Sequence, residues 1–451
     1  MPFDWGSLRD VVRKEGPHVA SLKLQGILGL GKYDPATKSL RRRMTGDLGT
    51  TPVLESYEGI PGGRVRPEEV SFKGLARAFF GDPSDEELRR ILVGGITTQV
   101  HAMEAAGAAP MVPSQFGDIS PYNSAALGLL EARMLDVWNR PDFIADSVAE
   151  TINSDLRAQK FIGVSIPGDV AMERKSGEQH ARMQLTERYV TTPDTTNFGT
   201  AVDVTVEAVL FDRTGQVLAN AEKVVETLRI RKEIRMADVF VGNVNTYTYD
   251  GVTYNTYVSS GGNWVNEAAS NALADYTNIN TAIYLATQMT DQETGLPVSI
   301  GPNRQLLVAP INLATTLHTL RTTTVERLTQ TSTYRMFGDN PLVKMGIGDP
   351  MSSQWFWRQA QAMMETSAYG SQDSADAATT ANGLWWYGDF KGAFGYLENI
   401  PFTTTRATPD SYTMADRRLV ASIFVDEMGV PFVKEPRKVQ RHWPSTIPSD
   451  Q

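Results

Sequence analysis

The sequence of 451 residues contains no cysteine. That excludes disulfides, thiolate metal sites and a cysteine nucleophile. Histidine is scarce as well: His18, His101, His180, His318 and His442 stand far apart, with no HExxH motif and no pair at metal-ligand spacing. His318 falls on a predicted helix and reads as structural. A P-loop pattern, a GxGxxG after a strand and a GxSxG elbow are absent, and Gly26–Gly31 (GILGLG) is too loose to cradle a phosphate. No window offers 18 continuous apolar residues, so no membrane span is expected. The start, MPFDWGSLRDVVRKEG, has no apolar signal core. No catalytic residue, no cofactor-binding residue and no metal ligand is expected, and Asp85, Glu86 and Glu87 sit at a helix start, where the dipole accounts for them.

What the chain does have is length, 41% hydrophobic residues and only 21% charged ones, the profile of a globular protein of two or three domains. Its net charge of −9 argues against coating nucleic acid over its whole surface. Charge is unevenly placed. Residues 1–43 carry nine basic residues (Arg9, Arg13, Lys14, Lys23, Lys32, Lys38, Arg41, Arg42, Arg43) against Asp4, Asp10, Glu15 and Asp34. A solvated arm, a contact with nucleic acid and a contact with an acidic neighbour are all compatible with that excess.

The strongest periodic signal runs from Phe211 to Gly242. Val217, Leu218, Ala221, Val224, Val225 and Leu228 recur at helical spacing, and Ile234, Ala237 and Val241 continue the stripe. Glu222, Lys223, Glu226, Arg229 and Glu233 form the expected wet side, with Glu222 and Glu226 in reach of basic partners one turn away. Asp212 or Thr214 can cap the start and Gly242 the end. About 27 residues make a rod of roughly 40 Å. Before it, Ala201–Leu210 alternates as a half-buried strand.

Upstream, residues 1–120 are punctuated by Gly and Pro, with helical pieces at Glu69–Phe80 and Asp85–Leu92, the second capped by Ser84. This part reads as an arm whose apolar residues Phe79, Phe80, Ile91 and Val93 need a partner chain, or as a small helical domain. Two helices follow, one over Leu127–Trp138 and one through Phe143, Ile144, Val148, Ile152 and Leu156. Phe161–Thr200 reads as two strands around a charged tip near Lys175–Gly177. Downstream, Asp250-Gly251 marks a hairpin within residues 245–264. A helix over Asn278–Asp291, a short strand at 305–310 and a helix over Leu313–Leu328 come next. The Ser/Asp/Ala-rich stretch at 371–383 reads as a mobile surface piece. Trp385–Pro401 and Leu419–Val425 read as strands, the latter closing through a Met428-Gly429 turn onto Pro431–Val433. The aromatic clusters Tyr247, Tyr249, Tyr254, Tyr257 and Trp385–Tyr387 suit cross-strand packing better than stacking on sugars or bases.

The order of strand, long helix, helix–turn–strand–helix and Gly388-Asp389-Phe390 resembles the tailed-phage major capsid proteins of the Hong Kong 97 type, over about residues 160–440. The resemblance implies an α+β fold with an extended N-terminal arm, an extended β-hairpin loop, a spine helix in a peripheral domain, and an axial domain. The corresponding division is 1–157 (N-terminal arm and helical extension), 158–200 (extended loop), 201–260 with 401–451 (peripheral domain, spine helix 214–241) and 261–400 (axial domain). The N-terminal 120 residues depart from the minimal family pattern. By the same resemblance the protein is no enzyme but a virion shell assembled in the host cytoplasm. Its partners would be itself, in hexamers and pentamers, a portal, decoration or scaffolding proteins, and packaged double-stranded DNA held without sequence preference, with no membrane. An encapsulin-like compartment holding a cargo enzyme is the alternative. A covalent Lys175 crosslink, which the family also suggests, would need a buried carboxylate on another subunit and is not expected.

Overall fold

In the computed structural model of the protein the described residues are 5–28, 30–34, 36–42, 70–94, 120–140, 143–162, 189–211, 213–261, 264–274, 276–290, 297–298, 306–308, 310–322, 325–330, 335–339, 351–366, 372–407 and 418–445. They are mixed helix and strand, an α+β protein. Two compact units are formed: Met1–Arg140, Asn197–Arg229 and Ile400–Met428 make the first; Pro141–Thr196, Ile230–Asn399 and Gly429–Gln451 make the second. The long helix contributes residues to both units. Most of the expected extended loop, residues 163–188, lies outside the described residues, as does Lys175.

The first unit is built on helices. Trp5–Glu15, Pro17–Ile27, Phe72–Phe80, Asp85–Gly94 and Ser120–Trp138 bury Leu8, Leu24, Phe72, Phe79, Leu88 and Leu130 in one core with Val204, Leu218, Val225 and Ile423. The expectation of an arm that needs a partner chain is therefore corrected. Phe79, Phe80 and Ile91 are covered within their own unit, because the helices before and after them close over the same apolar stripe. The helix expected over Glu69–Phe80 starts at Phe72, where Ser71 Oγ accepts from Gly74 N at 2.9 Å, and Gly81 ends it at φ 80°; Ser84 caps the next helix as expected, in a reciprocal capping box with Ser84 N donating to Glu87 Oε2 at 2.9 Å.

The strand expected at Ala201–Leu210 instead covers Thr196–Thr205, and Val206–Leu210 is a short helix. Alternation alone cannot see the cause. Thr205 Oγ1 accepts from Ala208 N at 3.2 Å, an N-cap that turns the chain and lets Val206, Ala208 and Val209 all bury. The long helix runs over Thr214–Val241, and Gly242 ends it at φ 91°. Thr214 is the first residue of the helix, and its hydroxyl accepts from Phe72 N of another helix at 2.8 Å.

Among the described residues the second unit contains four sheet pieces and a second core. Leu306–Val308, Trp385–Gly388, Val439–His442 and Glu267–Ala268 are neighbours in that order, with Trp386 paired to both Val308 and Arg441. Lys160–Ile162, Tyr189–Thr191, Tyr247–Tyr249 and Val252–Tyr254 form another sheet. Its last hairpin turns through Asp250 at φ 50° and Gly251 at φ 78°, the left-handed pair that the sequence announced. Met236, Phe240, Phe356, Trp386, Phe390 and Phe394 meet in the core, where Phe240 touches four of the other rings.

Several expectations for this unit are corrected. The helix through Phe143–Leu156 is only Ala145–Val148; Glu150–Asn153 then pairs in parallel with Gly395–Glu398, where β-branched Thr151 and Ile152 fit. The helix over Leu313–Leu328 stops at Thr322, and Val325–Gln330 pairs with Arg335–Asp339, as a threonine run followed by valine favours. The low-complexity stretch is a helix at Ser374–Ala381, started by Asp373 and held by buried Ala377 and Ala381. The strand at Trp385 ends at Gly388, and Asp389 caps a short helix before Phe394–Ala407. Finally, Met428-Gly429 is no turn, since Leu419–Val433 is one strand. Gly429 is there for space: an added Cβ would lie 2.5 Å from the Tyr396 ring.

Candidate functional site

The side chains able to carry chemistry are held by one another. His18 and His318 are exposed on helices, whereas His101 and His180 lie outside the described residues. His442 is buried, its ring stacked on Trp385 at 4.1 Å between centroids, with Nδ1 accepting from Asn271 Nδ2 at 3.0 Å. Burial lowers its pKa to about 3, so it is a neutral core residue. Among the described residues no group of three His, Asp or Glu is placed to hold a metal, and no helix is long and apolar enough to cross a membrane. Asp85 is bridged by Lys73 and Arg77 at 3.0 and 3.1 Å and serves its helix start.

In the first unit, two acid–base knots join elements far apart in sequence. Glu222 receives Arg133 at 2.6 Å and Arg140 on its other oxygen. Burial would raise its pKa, but the two guanidinium hydrogen bonds outweigh that and hold the carboxyl below its ordinary range. Such a carboxylate is a poor general base. Glu131 takes Arg406 through Nε at 2.7 Å and through Nη2, and Thr404 Oγ1 donates to it at 2.9 Å; Arg406 Nη1 also reaches Gln25 Oε1 at 3.0 Å. Arg229, expected in solvent, is buried over the Trp138 ring at 5.0 Å, and Trp138 stacks on Phe402.

In the second unit the end of the long helix is fastened the same way. Glu233, also expected on the wet side, is 1% exposed. Its carboxylate accepts from Ile144 N at 3.2 Å, Ala145 N at 2.8 Å and Ser353 Oγ at 3.0 Å. Lys232 bridges Asp146 at 3.1 Å and Glu398 at 3.7 Å while lying over Tyr396. Arg235 donates to Gly429 O at 2.8 Å and to Tyr396 Oη at 2.9 Å. The last turn is closed by Tyr257 Oη on Phe240 O at 2.5 Å and Arg441 Nη1 on Val241 O at 2.6 Å. Arg441 is fully buried between the Tyr257 and Trp443 rings and paired with Glu267. Tyr247 and Tyr387 have their hydroxyl pKa raised, chiefly by burial, so both stay protonated.

These groups therefore position backbone and helix. Each carboxylate named above is engaged by a cation, an amide or a hydroxyl, and most of these contacts tie together elements far apart in sequence. Sequence reasoning missed the buried ions because a helical wheel sorts charge to the outside. The one usable signal was the close spacing of Arg229, Lys232, Glu233 and Arg235 on the strongest amphipathic helix.

Comparison with known proteins gives the family. A sequence model described as phage capsid protein matches residues 188–437, more than half of the chain. No curated protein matches the sequence. Among solved structures, a virus-like particle from Pyrococcus furiosus is similar at 9% identity and TM-score 0.38, over 69% of this chain and 97% of that one. The capsid of the cyanophage P-SCSP1u is similar at 13% identity and TM-score 0.37, over 67% and 88%. A chain from Mycobacterium phage Bobi is similar at 10% identity and TM-score 0.36, over 68% and 92%. On the family match across residues 188–437, the chain belongs to the phage capsid protein family.

Proposed function

We propose that the protein is the major capsid protein of a tailed phage, and that its hexamers and pentamers close into an icosahedral head around double-stranded DNA. The observation that carries this reading is the family match over residues 188–437, which includes the whole long helix. Carboxylates that fasten helix ends and strands to one another support a mechanical role. Subunits in such a wall would bury on the order of 2,000 Å² or more with their neighbours, the scale of obligate assemblies. Residues 158–200 would reach an adjacent subunit, and 261–400 would close around the symmetry axis as an axial domain. Assembly would take place in the host cytoplasm, with a portal and decoration or scaffolding proteins as further partners.

Sedimentation and negative-stain microscopy of the purified full chain test the proposal. Closed shells with five- and six-fold clusters and nuclease-protected DNA are expected. Small monodisperse species at all concentrations and salts would overturn it. Shells that contain only protein would replace the head with a cargo compartment.

A further inference from the structure

We propose that the outward sheet face around Phe424 is a docking site for a second copy of this chain, and that its occupant is the basic end of helix Trp5–Glu15. The proposal rests on the shell reading above and names one contact between its subunits. Phe424 is 42% exposed on strand Leu419–Val433, which lies between Phe394–Ala407 and Thr196–Thr205. Ser422 Oγ donates to Asp203 Oδ1 at 2.6 Å, and Gly199 lies against Asp426 Oδ1. One strand therefore ascends as the other descends, and exposed Ala201 stands opposite Phe424. A neighbour that small leaves the ring uncovered.

Two carboxylates flank it. Asp426 lies two residues along the same strand and Asp203 diagonally across on the other side, each roughly 7 Å away. Strands Thr196–Thr205 and Leu419–Val433 contain no basic residue, and Arg406, on the third strand, turns the other way to Glu131. Among the described residues no cation pairs with Asp203 or Asp426. An aromatic ring between two such acids suits a guanidinium, which stacks on the ring and hydrogen-bonds a carboxylate at once. The same acids repel a phosphate backbone, and a wholly apolar partner would bury them unpaired.

The chain itself carries the complement. Helix Trp5–Glu15 buries Leu8 and Val11 and leaves Arg13 and Lys14 exposed in its last turn. Arg9 is taken by Asp82 and Lys23 by Glu15, at 3.3 and 2.6 Å. Arg13 and Lys14 are, among the described residues, the one pair of adjacent exposed cations without a partner. Leu8 and Val11 share a core with Val202, Val204, Ile423 and Val425, the inward side of the same sheet. Both patches thus turn away from one core, one from a helix and one from a sheet, and they meet only between copies. A contact between two different surfaces repeats head to tail and closes into a ring when the rotation permits.

The absence of cysteine makes the contact directly readable. Full-length Lys14→Cys and Ala201→Cys chains, mixed and treated with a short bismaleimide, should give a covalent dimer that neither gives alone. Charge reversal supplies the second readout. Arg13→Glu/Lys14→Glu and Asp203→Lys/Asp426→Lys should each raise the subunit concentration needed for assembly, read by sedimentation, at least about tenfold. The chain carrying all four changes should recover assembly, and matching thermal unfolding shows that each variant folds. Shells that form without a crosslink between positions 14 and 201, or a combined variant no better than its two parents, would overturn the contact while the shell reading stands. Equal crosslinking in the unmixed Ala201→Cys chain would make the face a two-fold contact and overturn its assignment to helix Trp5–Glu15. A crosslinked head-to-tail oligomer that never closes would overturn the shell reading and keep the contact.

Discussion

Glu233 Oε2 accepts a hydrogen bond from Ala145 N at 2.8 Å, so a carboxylate of the long helix caps the first turn of a four-residue helix 88 positions earlier. The same carboxylate takes Ile144 N and Ser353 Oγ. Removing it leaves two amides and a hydroxyl buried without their acceptor. Glu233→Ala should cost the subunit about 2–4 kcal/mol and Glu233→Gln about half that. Urea unfolding of the unassembled chain measures both, and a loss under 0.5 kcal/mol (about the scatter of surface substitutions) for Glu233→Ala would contradict the capping role.

Gly388 sits at φ 148°, and a Cβ placed on it would lie 2.1 Å from the carbonyl oxygen of Lys438. The obstacle is backbone, paired to Gly388 through the register of Trp385–Gly388 with Val439–His442, so it cannot swing aside. Gly388→Ala should therefore destabilise by more than about 3 kcal/mol. Gly215→Ala, on the long helix where a Cβ meets nothing within 4 Å, should be neutral or stabilising by up to about 1 kcal/mol. Thermal unfolding of the pair gives the comparison, and similar effects for both would refute it.

Arg441 and Glu267 form a buried ion pair whose guanidinium also reaches the last carbonyl of the long helix, Val241 O. Either single replacement, Arg441→Met or Glu267→Met, leaves its partner's charge in the core and should cost about 3–5 kcal/mol. The double replacement should cost clearly less than the sum. A double-mutant cycle on the unfolding free energy reads the coupling, and strict additivity would show that the two charges are independent.

His442 gives the unfolding free energy a pH dependence with a definite sign. Its folded pKa of about 3 lies below the unfolded value, so the unfolded chain binds the extra proton between those two values. The stability it contributes is fully present above about pH 6.5 and is lost as pH falls toward about 3, with a slope of up to about 1.4 kcal/mol per pH unit. His442→Phe keeps a ring against Trp385 and removes the titration, so the slope between about pH 4 and 6 should flatten relative to the wild type. Equal slopes in both proteins would place the acid sensitivity elsewhere.

Much of the frame was legible in the sequence because its signals are local. The stripe from Val217 to Val241 needs only a 3.6-residue period, Asp250-Gly251 only the sterics of a two-residue turn, and Ser84 with Glu87 only a capping box. Where the reading failed, a distant partner had decided. Ile152 joined a strand because Gly395–Glu398 lies beside it in parallel, and Ser374–Ala381 became a helix because Ala377 and Ala381 bury in a core. Gly429 passed for a turn because nothing nearby in the chain announces the Tyr396 ring.

By itself the sequence determined the long helix, the mixture of strand and helix, the absence of thiol chemistry and the order of elements that resembles phage capsid proteins. All of these follow from residue type and short-range spacing. Only the tertiary structure decided that Arg229, Lys232, Glu233 and Arg441 are buried and that the N-terminal helices cover their own apolar face. Each of those depends on which groups meet across tens or hundreds of residues. In a dry core the energy of a charge is set by the partner that reaches it, not by its neighbours along the chain.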